Sequence, residues 1–382
     1  MELYVHIPFC RQKCRYCSFA SFPGQEAYFK TYIDLLLKEA ASRKEEVSEP
    51  FRTVYIGGGT PSLLSPDLLA YLLRGLGTVF DLTHTEEFTS EANPGTVTGE
   101  WLDTAVSFGI NRISFGMQAY QDRILSLLGR IHRYEEVVSS VLTARSAGIR
   151  NINLDLMFGI PTQTVCEWEQ TIDAALELNP EHLSAYGLIP EEGTPLQRDL
   201  EKGILRLPDP DTEREMYSIF IRKAALSGLH QYEISNFARD SYQCVHNIGY
   251  WTQIPYIGLG VSAASMTGIK FGPDGMSCLR AVNPDTIEAY ENMILKGRER
   301  KTEVVSPAEA RFETVMLGFR MNRGVNENDF FTKHGVTMNE CYGKKLEEMK
   351  NAGLLLHEDN AWKMTSRGFD IQNSILVELM DE

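Results

Sequence analysis

The chain has 382 residues, 43% of them hydrophobic and 23% charged, with a formal net charge of −15. That is long enough for one large domain and a smaller one; no apolar run approaches the ~18 residues of a membrane span, and the opening Met-Glu-Leu-Tyr is no signal peptide. The acidity disfavours nucleic acid as a partner, because phosphate binding needs clustered Lys and Arg, and seven cysteines, an odd number, fit a reducing, cytoplasmic compartment better than a disulfide framework.

The first ~230 residues alternate β-rich apolar runs with amphipathic stretches. Leu3–Ile7 reads as a strand, followed by apolar residues at helical spacing from Ala27 to Ala41. Thr53–Ile56 is a second strand, ended by Gly57-Gly58-Gly59, and Pro66–Thr78 a helix with Ser65 as N-cap. Glu87–Ala92 and Arg112–Met117 are the third and fourth strands, and Tyr134–Ala147 is a helix ending at Gly148. Ile152–Met157 and His182–Leu188 are the fifth and sixth strands, and Pro208–Gly228 is a closing helix. Strands alternating with helices predict a parallel α/β sheet. Six units are too few for a closed eight-stranded barrel, so the fold expected is α/β, a partial (β/α)6 TIM-like barrel over 1–230.

Residues 231–305 are rich in aromatics, Gly and Asn and read as a connecting region. From 306 to 382 the pattern turns helical (Pro307–Phe319, Asn326–Lys333, Met338–Ala352), then gives a hairpin over 354–364 and a last helix over Ser366–Leu379. Helices followed by a two-stranded wing predict a smaller, winged-helix-like C-terminal domain. Its thirteen acidic residues against nine basic ones oppose a DNA-binding role and favour packing or a lid. The cysteines Cys166, Cys244, Cys278 and Cys341 are scattered and read as small buried hydrophobes.

The most informative run is Cys10-Arg11-Gln12-Lys13-Cys14-Arg15-Tyr16-Cys17. Thiolates are soft ligands for iron–sulfur clusters or zinc. Three cysteines on a [4Fe–4S] cluster leave one iron open to a small molecule. Structural zinc normally has four ligands; the alternative is a zinc site closed from afar by His6 or Cys244.

In parallel α/β barrels ligands sit at the C-terminal strand ends. Gly57-Gly58-Gly59-Thr60-Pro61 ends the second strand; its glycines allow close backbone approach, with free N–H groups for a carboxylate. Glu91 ends the third strand, Gln118 the fourth, and Arg130 follows it. Asp155 interrupts an apolar run in the fifth, costly for an ionised group without a partner. Singly, Glu91 reads as well as a surface carboxylate, Arg130 as a helix end and Gln118 as a loop former. Together, behind the triplet, they outline a cradle.

The C-x3-C-x2-C triplet resembles that of the radical S-adenosylmethionine (SAM) superfamily. There SAM chelates the open iron through its amino and carboxylate groups, and the reduced cluster cleaves it to a 5′-deoxyadenosyl radical. Tyr4–Cys10, Gly57–Pro61, Ser90–Pro94, Ser114–Gln118 and Asn153–Pro161 are similar, over nearly the whole chain, to the HemN/HemW family of coproporphyrinogen III dehydrogenases and haem chaperones. The resemblance implies that Cys10, Cys14 and Cys17 hold a [4Fe–4S] cluster. It implies that Tyr4, Tyr16 and Glu91 flank SAM near the cluster and that Gly58, Gly59 and Thr60 hold its methionine end. Gln118, Arg130 and Asp155 then bind a second SAM or the far side of the pocket, with Ile189 as an apolar wall.

Three features point to the HemW branch. Phe19 stands where HemN-type enzymes carry a fourth cysteine, only nine residues precede Cys10, and His246-Asn247-Ile248-Gly249-Tyr250-Trp251 resembles an H-N-x-x-Y-W motif associated with haem binding. His246 offers an imidazole, and Tyr250 and Trp251 offer flat faces for a porphyrin; otherwise His246 is a hydrogen-bonded core residue. The resemblance implies a haem chaperone that hands haem to an acceptor protein and draws electrons from a donor such as a flavodoxin or ferredoxin. SAM cleavage is expected to be possible, and little coproporphyrinogen III oxidation. The alternative is a tetrapyrrole-modifying radical SAM enzyme.

Overall fold

A computed structural model describes residues 1–298 and 300–380. The six expected strands are all present: β1 (Glu2–Ile7), β2 (Thr53–Gly58), β3 (Glu87–Ala92), β4 (Arg112–Gln118), β5 (Asn151–Phe158) and β6 (His182–Gly187). They pair in sequence order, each parallel to the next, as an open α/β barrel requires. The helices between them include α1 (Phe29–Ser42), α2 (Pro66–Val79), α3 (Gly99–Ser107), α4 (Asp122–Leu128), α5 (Tyr134–Ser146) and α6 (Val165–Glu177). α7 (Pro195–Glu201) and α8 (Pro210–Leu226) follow β6. Ser65 caps α2 by accepting from the Leu68 amide. The sequence reading gave no helix at α3, α6 or α7, and α4 only as a helix end at Arg130.

Alternation along β1 sets the two faces of the sheet. Leu3, Val5 and Ile7 have no exposed surface and pack outward against Tyr32, Ile33 and Leu36 of α1. Glu2, Tyr4 and His6 face the lumen, which is polar throughout. His182 Nδ1 lies 2.6 Å from Asn153 Oδ1, and its Nε2 lies 2.8 Å from the Tyr232 hydroxyl.

The 231–305 stretch builds both margins of this sheet. β7 (His230–Gln231) and β8 (Asn236–Ala238) extend it beyond β6. β9 (Tyr256–Leu259) adds a further parallel strand outside β1, and β10 (Ala264–Gly272), β11 (Gly275–Val282) and β12 (Lys301–Val305) continue antiparallel. Among the described residues the sheet therefore has twelve strands. These strands were not legible because Gly, Asn and Ser interrupt their alternation.

Within 231–305, α9 (Val245–Trp251) carries the H-N-x-x-Y-W run and closes the base of the lumen. The Glu87 carboxylate accepts from the Val245 and His246 amides at 2.9 and 3.2 Å and from the Cys244 thiol at 3.3 Å. Gly249 is packed so closely on Glu2 that a Cβ there meets its carboxylate at 1.7 Å. Cys244 and Cys278 are buried as expected, whereas Cys166 is exposed.

α10 (Ile287–Lys296) packs against α1. The C-terminal helices are α11 (Pro307–Gly318), α12 (Glu327–His334), α13 (Met338–Asn351), α14 (Ser366–Asp370) and α15 (Gln372–Met380). They surround their own core of Phe319, Phe330, Leu346, Trp362 and Leu379. The expected wing is β14 (Leu355–Glu358) with β15 (Ala361–Met364), joined by β13 (Val325–Asn326) into three strands. The expected last helix is two, broken at Ile371. No helix among the described residues is long and apolar enough to cross a membrane.

Two outcomes test the plugged base. Gly249→Ala should cost about 1–3 kcal/mol in denaturant unfolding, the usual penalty of overpacking. Burial pushes the Glu2 carboxyl from 4.5 up to about 8, opposed by the N-terminal ammonium and helped by Glu87. A carboxyl raised in the folded state favours folding below ~4.5 and loses that contribution as pH rises to about 8. Glu2→Gln should therefore gain stability relative to the parent between pH 5 and 8, measured as melting temperature against pH; a constant difference across that range contradicts the assignment.

Candidate functional site

The cysteine loop leaves the mouth of the barrel after β1. Phe9 anchors its start, its ring 4.3 Å from Phe29 and 5.2 Å from Tyr32, and Phe9–Cys10 pairs with Phe22–Pro23 where the loop returns. The far side is clamped by backbone: the Arg15 amide donates to Leu128 O at 2.9 Å, and the Leu196 amide to Arg15 O at 2.9 Å. Arg15 also pairs with Asp199. The three thiols are each partly exposed on this one loop.

His6 and Cys244, the distant alternatives for a fourth zinc ligand, are both committed elsewhere. His6 Nδ1 lies 2.9 Å from the Tyr4 hydroxyl and Nε2 2.8 Å from Ala20 O, which ties down the end of the cysteine loop. Cys244 sits on Glu87 at the base. Glu87 and Glu91 are four residues apart on one strand, about 13 Å at ~3.3 Å per residue. Among the described residues no group of three or more His, Cys, Asp or Glu side chains is gathered to hold a single metal ion.

The GGGTP strap runs directly beneath the loop. A Cβ on Gly59 would lie 2.6 Å from Phe9 O, and Gly58 has φ +107 with the His6 ring where a Cβ would stand. The glycines are thus required by close approach. The expectation of free N–H groups is corrected. The Gly58 amide donates to Glu91 at 3.0 Å, Gly59 to Ile7 O at 2.8 Å and Thr60 to Phe9 O at 2.7 Å. The strap spends these donors on positioning Glu91 and the loop.

From Thr60 a polar chain crosses the mouth. The Thr60 hydroxyl donates to Cys10 Sγ at 3.6 Å and accepts from Asn93 Nδ2 at 2.8 Å. Arg130 donates to Asn93 Oδ1 at 2.8 Å, to Gly116 O at 2.6 Å and to Cys14 Sγ at 3.5 Å. Its buried Nε has no partner. Gln118 lies beside Arg130 at Gly116, where the β4–β5 register shifts. Its φ of +64 is left-handed, a strain that non-glycine residues sustain mostly at functional positions. Tyr16 packs on the small apolar cluster of Leu125, Leu128, Met157 and Leu188.

Two carboxylates face each other inside the mouth. Glu91 accepts from the Tyr55 hydroxyl at 2.9 Å and is pushed up to about 7 by burial and by the charge of Asp155. Asp155 accepts from Ser114 at 3.0 Å and Asn153 at 2.8 Å and is raised by burial. A ligand bearing positive charge relieves both costs at once. The residues thus fit SAM, whose ammonium and sulfonium are cationic, and the orphaned Arg130 Nε suits its carboxylate. The thiols fit a cluster, with Thr60 and Arg130 donating to its sulfur ligands.

The remaining expected residues are not gathered there. Ile189 lies just beyond β6 and is 72% exposed, so it walls no pocket in this structure. His246 is 1% exposed at the base of the lumen, stacked on Tyr55 at 5.1 Å. Its Nδ1 is 2.7 Å from Thr53 Oγ1 and its Nε2 2.9 Å from the Tyr250 hydroxyl. Burial lowers it to about 3, so the ring is neutral. Neither nitrogen is free for iron here, which corrects the expectation of an imidazole open to a porphyrin. Tyr250 and Tyr4 instead line a cavity of about 710 Å³ between the cysteine loop, β10 and α11. Sequence reasoning missed this cavity and the supporting Tyr55, Asn93 and Ser114. Asn93 and Ser114 lie within the runs that carry the family resemblance; the cavity wall is drawn from segments scattered between residues 4 and 317 and leaves no local pattern.

Cys14→Ala should abolish the four-iron complement on anaerobic reconstitution, read by iron and sulfide analysis, while far-UV circular dichroism stays that of the parent. Asp155→Asn keeps the volume and removes the charge. It should weaken SAM at least tenfold with a small shift in melting temperature; unchanged SAM affinity in the folded variant assigns Asp155 to the frame alone.

The radical SAM superfamily model matches residues 4–175 and the HemN C-terminal domain model residues 305–371. The chain is 35% identical to heme chaperone HemW of Bacillus subtilis over 99% of both chains. It is 34% identical to that of Escherichia coli, over 100% of this chain and 98% of the other. A mitochondrial radical S-adenosyl methionine domain-containing protein 1 of Danio rerio is 30% identical over 100% of this chain and 87% of its own. The solved coproporphyrinogen III oxidase HemN of E. coli superposes with a TM-score of 0.84 over 100% of this chain and 90% of its own, at 21% identity, which shows a shared fold. With the cysteine triplet, the carboxylate pair and this full-length similarity, the chain belongs to the HemW family of the radical SAM superfamily.

Proposed function

We propose that this protein is a haem chaperone: it binds haem beside a [4Fe–4S] cluster with SAM and passes the haem to an acceptor protein. The observation that carries the reading is the full-length similarity to curated haem chaperones, supported by an aromatic cavity of about 710 Å³ beside the cluster loop. That volume falls within the ~300–1,000 Å³ of small-molecule sites.

Cys10, Cys14 and Cys17 hold the cluster, and Glu91, Arg130 and Asp155 orient SAM. When bound, cluster and SAM supply one-electron cleavage of a carbon–sulfur bond. Tyr55 and the Gly58 amide fix the Glu91 carboxylate toward the ligand. Tyr4 and Tyr16 flank the loop, and Gly59 with Thr60 sets its height above the strap. Gln118 holds the Arg130 side of the pocket. A soluble one-electron donor of the flavodoxin or ferredoxin type would supply electrons to the cluster these cysteines would hold, and the chain works in the cytoplasm.

The intact cradle also favours a second reading, a radical SAM enzyme acting on a tetrapyrrole. Titration of the reconstituted protein with haem, run beside a coproporphyrinogen III turnover assay, separates the two. We expect a saturable Soret band at about one haem per chain, the simplest stoichiometry for one cavity, and no sustained turnover. Catalytic turnover without saturable haem binding would replace the chaperone reading with the enzyme.

A further inference from the structure

The large cavity has a chemistry of its own. Its wall carries Tyr4, Phe19, Tyr250, Tyr256, Met266 and Met316, with the Arg280 guanidinium among them. Phe19 is 66% exposed although it lies two residues past the last cysteine of a clamped loop. Tyr250 and Tyr256 meet edge to face at 4.7 Å. These are flat apolar faces and polarizable thioethers. Arg280 is gripped by both Glu313 oxygens at 2.8 Å and by Glu303 at 2.9 Å. Glu313 belongs to α11, so this ion pair joins the sheet margin to the C-terminal domain across the cavity.

A flat, apolar macrocycle with carboxylates on one edge matches such walls. Arg280 gives Glu313 a single terminal nitrogen shared by both carboxylate oxygens, and a ligand carboxylate can compete for that nitrogen through the same charge-assisted chemistry. We propose that this cavity is the haem site, with the macrocycle among Phe19, Tyr250, Tyr256 and Met316 and a propionate on Arg280. His246 is then a positioning residue: it holds the Tyr250 hydroxyl at 2.9 Å from below and does not ligate iron. Taking His246 to iron would break both its hydrogen bonds and strand the Thr53 and Tyr250 hydroxyls in the packed base. The H-N-x-x-Y-W run thus serves haem through its tyrosine. The inference rests on the haem-binding reading above and adds the place and the contacts.

The test is haem titration by Soret absorbance on cluster-reconstituted protein. Ala264→Trp narrows the cavity from β10 and Leu317→Trp from α11. Each should weaken haem at least tenfold while cluster absorbance and melting temperature stay near the parent's. The parent should prefer haem to haem dimethyl ester, which lacks free carboxylates, and Arg280→Gln should lose that preference. His246→Gln should keep the parent's haem spectrum. Parent-like haem affinity in both folded tryptophan variants overturns the site, and so does a His246→Gln spectrum showing a lost imidazole ligand. If the tryptophan variants do not fold, the ester comparison decides: an equal preference in the parent and Arg280→Gln also overturns it. Absence of saturable haem binding by the parent is a different result, the failure of the chaperone reading itself.

Discussion

The Glu87 carboxylate sits at the base of an open, polar barrel and accepts from the Val245 and His246 amides and the Cys244 thiol. A buried carboxylate without such donors is costly, and a short helix with unsatisfied amides is too. Each satisfies the other, and the contact seats α9 in the lumen. With α9 in place, His246 reaches Thr53 and Tyr250. Tyr4, Tyr55, His246, Tyr250 and Tyr256 then form one continuous run of rings, spaced 4.7–6.2 Å. The run starts beside the cysteine loop and ends at the wall of the large cavity. The base of the barrel thereby shapes the space in which the proposed haem would lie.

The mouth is governed by the opposite condition: two buried carboxylates stay raised despite their hydrogen bonds and the nearby Arg112 guanidinium. Burial raises both Glu91 and Asp155, and the charge of Asp155 raises Glu91 further; Arg130 keeps one donor unpaired. These groups stand ready for a ligand carrying both an ammonium and a carboxylate. The clamped cysteine loop and the strap beneath it hold that arrangement against the cluster position without help from the C-terminal domain.

Much of this was legible in the sequence, and the divide is physical. The six parallel strands were visible because each is a short apolar run bounded by glycine or a polar end, and local pattern suffices for that. The cysteine triplet was legible by its spacing on one loop, Glu91 by its place at a strand end, and Asp155 because a charge inside an apolar strand is expensive. The margins of the sheet were not: β9 owes its place to β1, about 250 residues away, and the β10–β11 hairpin is interrupted by Gly and Ser. His246 shows the limit most clearly. An H-N-x-x-Y-W run advertises an imidazole, yet burial and two hydrogen bonds decide what that imidazole does, and both partners' positions depend on the fold. Ile189 looked like a pocket wall by position, but nothing folds over it.

The central claim is that haem and cluster occupy neighbouring sites on either side of Phe19. Zinc protoporphyrin, a fluorescent stand-in for haem, tests it directly. Bound to cluster-loaded protein, its emission should be strongly quenched by the adjacent cluster. It should recover at equal porphyrin occupancy in the variant with Cys10, Cys14 and Cys17 all replaced by alanine. Equal emission from the two proteins would place the porphyrin away from the cluster and contradict the account.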